Sequence, residues 1–135
     1  MNKTEFVSVD WLKPKRATKG SAGYDFVAPR EVTIPPHWDV DFDTEVRVNV
    51  VEGYVLQLYF RSSLGRKGLC LMNAVGIIDS DYHLSMRAMI RNNSDEPYTI
   101  HKGDRYMQGL IMPYFLTVDD DCTEERTGGL GSTGK

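Results

Sequence analysis

The chain has 135 residues and a mass of 15.3 kDa, which corresponds to one domain with a single hydrophobic core. Hydrophobic residues make up 41% of it, and no stretch approaches the roughly 18 apolar residues of a membrane span, so no membrane partner is expected. Sixteen basic and 19 acidic residues give a net charge of −3, which argues against a nucleic-acid partner.

Strand patterns begin near the N-terminus, where Phe6, Val7 and Val9 predict a first strand. Apolar and polar residues then alternate from 40 to 50, the clearest strand pattern in the chain. A Glu52-Gly53 turn leads into an aromatic and β-branched run from Tyr54 to Phe60.

The second half of the chain also has mainly strand patterns. Residues 84–90 and 105–116 predict further strands, and residues 62–68 are the best candidate for a short helix. Prolines fall at the predicted strand ends: Pro35, Pro36, Pro97 and Pro113. Many short strands predict an all-β single domain, a jelly roll or a barrel.

A glycine-rich segment closes the chain, with four glycines among residues 127–135. We expect residues 1–121 to form the core and residues 122–135 to form a flexible tail. The spacing of Gly129, Gly134 and Lys135 imitates a nucleotide-binding P-loop, but the Ser or Thr and the helix that must follow are missing. Glycine-rich backbone can still approach a phosphate closely, so the tail with Arg126 remains a candidate phosphate clamp.

Two cysteines, Cys70 and Cys122, are too few for a disulfide framework or a four-sulfur zinc site. The polar start of the chain lacks the apolar core of a signal peptide. We therefore expect a reducing, cytoplasmic location.

Two short segments carry candidate chemistry, each with an ordinary structural alternative. Arg61, Ser62 and Ser63 follow an apolar strand and suit an anion, but a serine there can equally cap a helix. Asp79 and Asp81 follow an apolar run, where a carboxylate can orient and deprotonate a water. The same residues are also typical of a turn whose side chains bond to their own backbone.

Taken in order, five segments resemble the motifs of the trimeric deoxyuridine triphosphatases (dUTPases). They are SAGYDF at 21–26, RSSLG at 61–65, NAVGIIDSDY at 73–82, GDRYMQ at 103–108 and RTGGLGSTG at 126–134. The resemblance covers essentially the whole chain. It implies a β jelly roll of the β-clip type, assembled as a homotrimer with active sites at the subunit interfaces.

The resemblance also implies an activity, the hydrolysis of dUTP to dUMP and pyrophosphate with Mg²⁺ on the triphosphate. This reaction keeps uracil out of DNA and supplies dUMP for dTMP synthesis. By the same match, Asp79 orients the water that attacks the α-phosphorus, and Tyr82 packs under the deoxyribose. Backbone from Asn73 to Ile78, including Gly76 and Ile77, forms the uracil slot.

The remaining matched residues bind the phosphates and the metal. Arg61, Ser62, Ser63 and Gln108 match groups that hold the phosphate chain, and Asp25 matches a carboxylate that reaches the metal through waters. Arg126 matches a tail arginine on the γ-phosphate, delivered to the active site of another subunit. In the same tail, Gly131 would close over the phosphates and Leu130 would close over the base.

The chain departs from the family pattern in the segment between Arg126 and Gly128, which is one residue shorter than in many members, and at two single positions. Leu130 stands where a phenylalanine usually stacks on uracil, so it can cover the base but cannot stack. Leu84 replaces a glycine, so the turn after Tyr82 must differ. Short chains with such tails occur among bacterial and phage members, which suggests a bacterial cell or a phage-infected host.

Two alternatives remain. The related dCTP deaminases share the jelly roll, but their chemistry needs a glutamate, and no glutamate lies between Glu52 and Glu96. A regulatory protein that binds a nucleotide on the same fold is the other alternative.

Overall fold

The structure is a computed structural model that describes residues 3–127. Within this part of the chain lie eleven strands, a 3₁₀ turn at Asp10–Leu12 and one short helix, α1 (Ser62–Gly65). The strands are β1 (Glu5–Val7), β2 (Tyr24–Val27), β3 (Val32–Ile34), β4 (Asp39–Asp43), β5 (Arg47–Asn49), β6 (Tyr54–Phe60), β7 (Leu69–Leu71), β8 (Gly76–Ile78), β9 (Arg87–Asn92), β10 (Tyr98–Ile100) and β11 (Arg105–Pro113). The predicted all-β class is confirmed.

In the described part of the chain, four antiparallel sheets surround one core. The largest has the strand order β2-β11-β6-β8, a second has the order β4-β9-β7, and β1-β5 and β10-β3 form two-stranded sheets. Burial alternates along the strands, as in β6, where Leu56 and Leu58 are buried and Gln57 and Tyr59 are not. One face of the large sheet therefore packs on the core, and its other face carries the more exposed side chains.

The long alternating segment from 40 to 50 is two strands, which corrects the single strand predicted from the sequence. Glu45, between β4 and β5, adopts a positive φ of 61° and breaks the extended backbone. Strand β4 pairs with β9, whereas β5 pairs with β1. Phe42, Thr44 and Val46 nevertheless all face the core, so the alternation reports burial and not one continuous hydrogen-bonded strand.

Hydrogen bonds to the main chain of Met86 stabilise the point where the chain passes from the sheet of β4 to the sheet of β5. The backbone N–H and the hydroxyl of Thr44 both donate to the Met86 carbonyl, at 2.9 and 2.7 Å. The Met86 N–H in turn donates to the Val46 carbonyl at 2.9 Å. The buried polar groups of this crossover are therefore satisfied.

The predicted turn before β6 is present, with the Tyr54 N–H bonded to the Val51 carbonyl at 3.0 Å. Gly53 has a φ of 89°, a conformation that favours glycine. The strands on either side do not pair with each other, because β6 pairs with β11 and β8. The turn is therefore a connection between sheets and not a hairpin.

The other predicted elements are present with shifted ends. Helix α1 ends at Gly65, earlier than the predicted 68. Strand β9 begins at Arg87, because Met86 is bonded to the crossover just described. No helix in residues 3–127 has the length and apolar character needed to cross a membrane.

The Tyr106 hydroxyl is buried without a hydrogen-bond partner among residues 3–127, and burial raises the pKa of this tyrosine. Its ring packs on Phe42 with centroids 5.5 Å apart. We expect Tyr106→Phe to raise the free energy of unfolding by about 1 kcal/mol, because it keeps the ring and removes an unpaired polar group. A urea melt measures the change, with Tyr54→Phe at an exposed position as the control. A lower unfolding midpoint for Tyr106→Phe would contradict this.

Candidate active site

The anion-binding candidates lie where β6 ends and α1 begins. Arg61 occupies the N-cap position with extended backbone, and no side chain caps the helix. Ser62 and Ser63 are exposed, and within residues 3–127 their hydroxyls make no hydrogen bond. The helix-cap alternative is therefore wrong for these serines, and their hydroxyls can meet a ligand. A cleft of about 340 Å³ is lined by Arg61, Ser63, Lys67 and Arg105, among others.

Gln108 and Asp25 are neighbours on adjacent strands of the large sheet. Gln108 lies directly opposite Asp25 on β2 and opposite Tyr59 on β6, so the three side chains share the outer face. The Gln108 side chain also lies across Gly23, where an added Cβ would sit 2.7 Å from its Oε1 atom. Gly23 leaves the space that this side chain occupies, a role that the pattern SAGYDF could not reveal by itself.

Asp25 is largely buried, with 16% of its side chain exposed, and its Oδ2 atom lies 3.5 Å from Nη1 of Arg105. No group of three or more potential metal ligands is found in residues 3–127. A single carboxylate fits Mg²⁺ that keeps its waters and takes its direct ligands from phosphates. The donor set is therefore compatible with a water-mediated contact and not with a protein cage.

The uracil-slot candidates surround an exposed sheet edge. Strand β8 pairs with β6 on one side and is the last strand of its sheet, so alternate backbone groups on its other side are unpaired within the sheet. Asn73 and Ile77 are exposed, and Ala74 has a positive φ of 62° in the turn before the strand. A Cβ on Gly76 would lie 3.1 Å from Cβ of Leu58, a tight contact that would require Leu58 to shift slightly.

Asp79 directly follows β8 and begins a turn closed by the Tyr82 N–H on its backbone carbonyl, at 3.1 Å. Both interpretations of this segment therefore hold in part, because the turn uses main-chain atoms and leaves the carboxylate free of its own backbone. Tyr82 is buried beside the turn, and its hydroxyl donates to the Ser85 carbonyl at 3.0 Å. Burial raises the pKa of Tyr82. Leu84 is exposed where the turn continues.

Arg126 bridges the two carboxylates of this turn. Its Nη2 atom lies 2.7 Å from Oδ2 of Asp79, and its Nε atom lies 2.8 Å from Oδ1 of Asp81. The guanidinium is 5.9 Å from the centre of the Tyr82 ring. Only 12% of the arginine side chain is exposed, against 52% and 56% for the two aspartates. The bond to Asp81 raises the pKa of Arg126.

The two groups of candidates lie at opposite ends of the large sheet. Strand β8 runs antiparallel to β6, with Ile78 opposite Leu56, so Asp79 lies near the level of Val55. Arg61 is six residues further along the same chain, which corresponds to about 20 Å of extended strand. The Asp79 cleft, of about 540 Å³, shares no lining residue with the Arg61 cleft. Leu130 and Gly131 lie outside the described residues.

The fold is thus an all-β domain with a cationic cleft and an acidic cleft at separate ends of one sheet. A family model described as dUTPase matches residues 10–134. A Lactococcus lactis deoxyuridine 5'-triphosphate nucleotidohydrolase is 43% identical over 130 residues, covering 90% of this chain and 87% of that protein. A Helicobacter pylori protein with the same name is 33% identical over 129 residues, covering 91% and 89%.

Solved structures agree with these sequence comparisons. The dUTPase of Streptococcus mutans matches with a TM-score of 0.77 and 35% identity, covering 86% of this chain and 98% of that one. The chain therefore belongs to the dUTPase family. The resemblance seen in the five segments and the predicted jelly-roll fold are both confirmed.

Proposed function

We propose that this protein hydrolyses dUTP to dUMP and pyrophosphate. The observation that carries the proposal is the order of groups along one strand edge: the backbone of Gly76–Ile78 at the edge of the large sheet as described for residues 3–127, then the Asp79 carboxylate, then the Tyr82 ring. Family membership and the names of the relatives support the same substrate. We place this activity in the cytoplasm of a bacterium or of a phage-infected cell, where it would remove dUTP before DNA synthesis and provide dUMP for dTMP.

Selection of the base rests on the edge strand. Uracil bonds to backbone groups of the segment from Asn73 to Ile78 as a partner strand would. Cytosine exchanges donor and acceptor at one edge, so it would leave buried groups unpaired. The Tyr82 ring packs against the deoxyribose and leaves no room for a 2′-hydroxyl.

The chemical step is an in-line displacement at the α-phosphorus. Asp79 orients a water and accepts its proton as the water oxygen bonds to phosphorus. The bond between the α-phosphorus and the α,β-bridging oxygen breaks, and pyrophosphate leaves with that oxygen. Arg61, Ser62, Ser63 and Gln108 hold the phosphate chain in line. Asp25 would hold Mg²⁺ through the waters of the ion, which would neutralise charge on the phosphates.

We further propose a homotrimer with shared active sites. One nucleotide cannot contact Arg61 and Asp79 of the same chain if the two lie about 20 Å apart along the sheet. The outer face of the large sheet and the segment after it expose Ile77, Met112, Tyr114 and Phe115, apolar surface that neighbouring copies would cover. Arg126, which contacts its own Asp79 here, would move to the γ-phosphate at a site formed with other subunits.

Subunit mixing tests the shared site. Arg61→Ala and Asp79→Asn proteins should each be inactive, and mixed trimers should regain activity because some sites then combine an intact Arg61 with an intact Asp79. Light scattering should give a particle close to three times the mass of one chain. A fully active monomer, or mixtures no more active than the separate variants, would contradict the proposal.

Release of pyrophosphate with dUTP as the sole nucleotide tests the activity itself. Ammonia release from dCTP would indicate a deaminase, and tight dUTP binding without turnover would indicate a regulatory nucleotide-binding protein. Either result in place of pyrophosphate release would overturn the proposed reaction.

The preference for dUTP over UTP should depend on Tyr82. We expect Tyr82→Ala to narrow the ratio of kcat/KM for the two nucleotides by about tenfold or more, because the ring that excludes the 2′-hydroxyl is gone. Tyr82→Phe is the control, since it keeps the ring and removes only the bond to the Ser85 carbonyl. An unchanged ratio in Tyr82→Ala would remove Tyr82 from sugar selection.

A further inference from the structure

A second cationic cleft lies beside Asp25, formed largely by residues outside the five family segments. Its volume is about 170 Å³. Four cationic side chains and one carboxylate contribute to its lining, which consists of Trp11, Lys13, Lys15, Arg16, Ala17, Asp25, Val27 and Arg105. This local excess of positive charge contrasts with the net charge of −3 for the whole chain.

Backbone pairing places Lys15 in the row of side chains that contains Asp25 and Gln108. The Lys15 N–H donates to the Asp25 carbonyl at 3.3 Å, and the Asp25 N–H donates to the Lys15 carbonyl at 2.7 Å. Residues that exchange both bonds are directly opposite, so their side chains leave the same face. Lys15 is thus two strand spacings, about 10 Å, from Gln108 along one row.

Lys13 and Lys15 carry the charges of this cleft that other groups of residues 3–127 leave unpaired. Arg16 donates to the carbonyls of Lys19 and Ser21 at 2.9 and 3.2 Å, and Arg105 faces Asp25. Within residues 3–127 no carboxylate lies within 4.0 Å of Lys13 or Lys15. An unneutralised pair of ammonium groups in a concave site attracts a multiply charged anion.

We propose that Lys13 and Lys15 bind the outer phosphates of the nucleotide and the pyrophosphate released from it. This inference rests on the proposed function, because Gln108 is the group that would hold the phosphate chain in the adjoining position of the row. A diphosphate bound over Asp25 would be within reach of Gln108 on one side and of the two lysines on the other. The lysines offset the repulsion that the Asp25 carboxylate would otherwise exert on it.

Calorimetric titration of the full-length protein with inorganic pyrophosphate, in the presence of magnesium, tests the cleft without requiring turnover. We expect the double variant Lys13→Gln/Lys15→Gln to raise the Kd for pyrophosphate by about tenfold. Lys19→Gln is the matched control, since it removes one charge from the same loop outside the cleft lining, and its Kd should stay within about twofold of wild type. Binding of dUMP, which lacks the outer phosphates, should not change in any variant.

Kinetics provide a second measurement. The double variant should lower kcat/KM for dUTP, because the lysines would stabilise the negative charge that the leaving pyrophosphate gains in the transition state. Unchanged pyrophosphate binding in the double variant, or an equal loss in Lys19→Gln, would overturn the cleft assignment even if dUTP is hydrolysed. If pyrophosphate binding depends on the lysines but dUTP is not hydrolysed, the reaction fails and the anion site stands.

Discussion

Replacing Asp79 with asparagine is expected to lower kcat for dUTP by about 10²–10⁴-fold while leaving nucleotide binding largely intact. The amide can still bond to a hydroxyl, but it cannot take the proton of the attacking water. The carboxylate is exposed and its backbone only closes a turn, so the fold should not depend on it. Steady-state kinetics and binding of a non-hydrolysable dUTP analogue measure the two effects separately.

Asp81→Asn is the matched control, because Asp81 lies in the same turn and bonds to the same arginine. It loses the same charge and the same type of contact, yet it is not expected to act on water. We expect its turnover to stay within about threefold of wild type. Turnover of Asp79→Asn within the same range would remove Asp79 from the catalytic role.

Deleting residues 126–135 should lower kcat by at least about 10²-fold, because the charge of Arg126 and the glycine-rich backbone no longer reach the phosphates. Thermal stability should hardly change. The arginine bonds to two half-exposed carboxylates, and such pairs contribute less than about 1 kcal/mol. Turnover and the melting temperature, measured at saturating magnesium, check the two parts.

Shorter changes divide the tail into its parts. Arg126→Ala removes the guanidinium alone, and truncation after Thr127 keeps it while removing the glycines and Leu130. Leu130→Phe should tighten dUTP binding modestly, by on the order of 1 kcal/mol, since a ring can stack on uracil. Arg47→Ala, at an exposed position on β5, controls for loss of one arginine. Wild-type turnover in the deletion variant would refute the closing role of the tail.

The local sequence predicts an element correctly where the residues at its two ends mark its boundaries. Strand β6 has the predicted bounds, because a run of mainly aromatic and aliphatic residues is delimited by Gly53, with its positive φ, and by the polar segment at Arg61. The start of α1 is predicted correctly because the helix directly follows the polar Arg61, where the apolar run of β6 has ended. Burial was also predicted well from residue 40 to residue 50, where the alternation holds throughout.

Pairing partners could not be predicted in this way. The alternation from 40 to 50 does not encode which strand lies alongside, so the change of sheet at Glu45 was missed. The site shows the same limit. The family segments name Arg61 and Asp79, but only the antiparallel register of β6 and β8 places them at opposite ends of the sheet. The position of Lys15 opposite Asp25 could not be predicted either, because this pairing exists only in the folded chain.

The crossover at Thr44 has a consequence for amide hydrogen exchange. The amides of Thr44 and Met86 are fully buried and hydrogen-bonded at the junction between β4 and β5, so we expect neither to exchange with solvent until this junction opens. Their protection should therefore equal that of the most slowly exchanging amides of the core. The two sheets should open as a single cooperative unit.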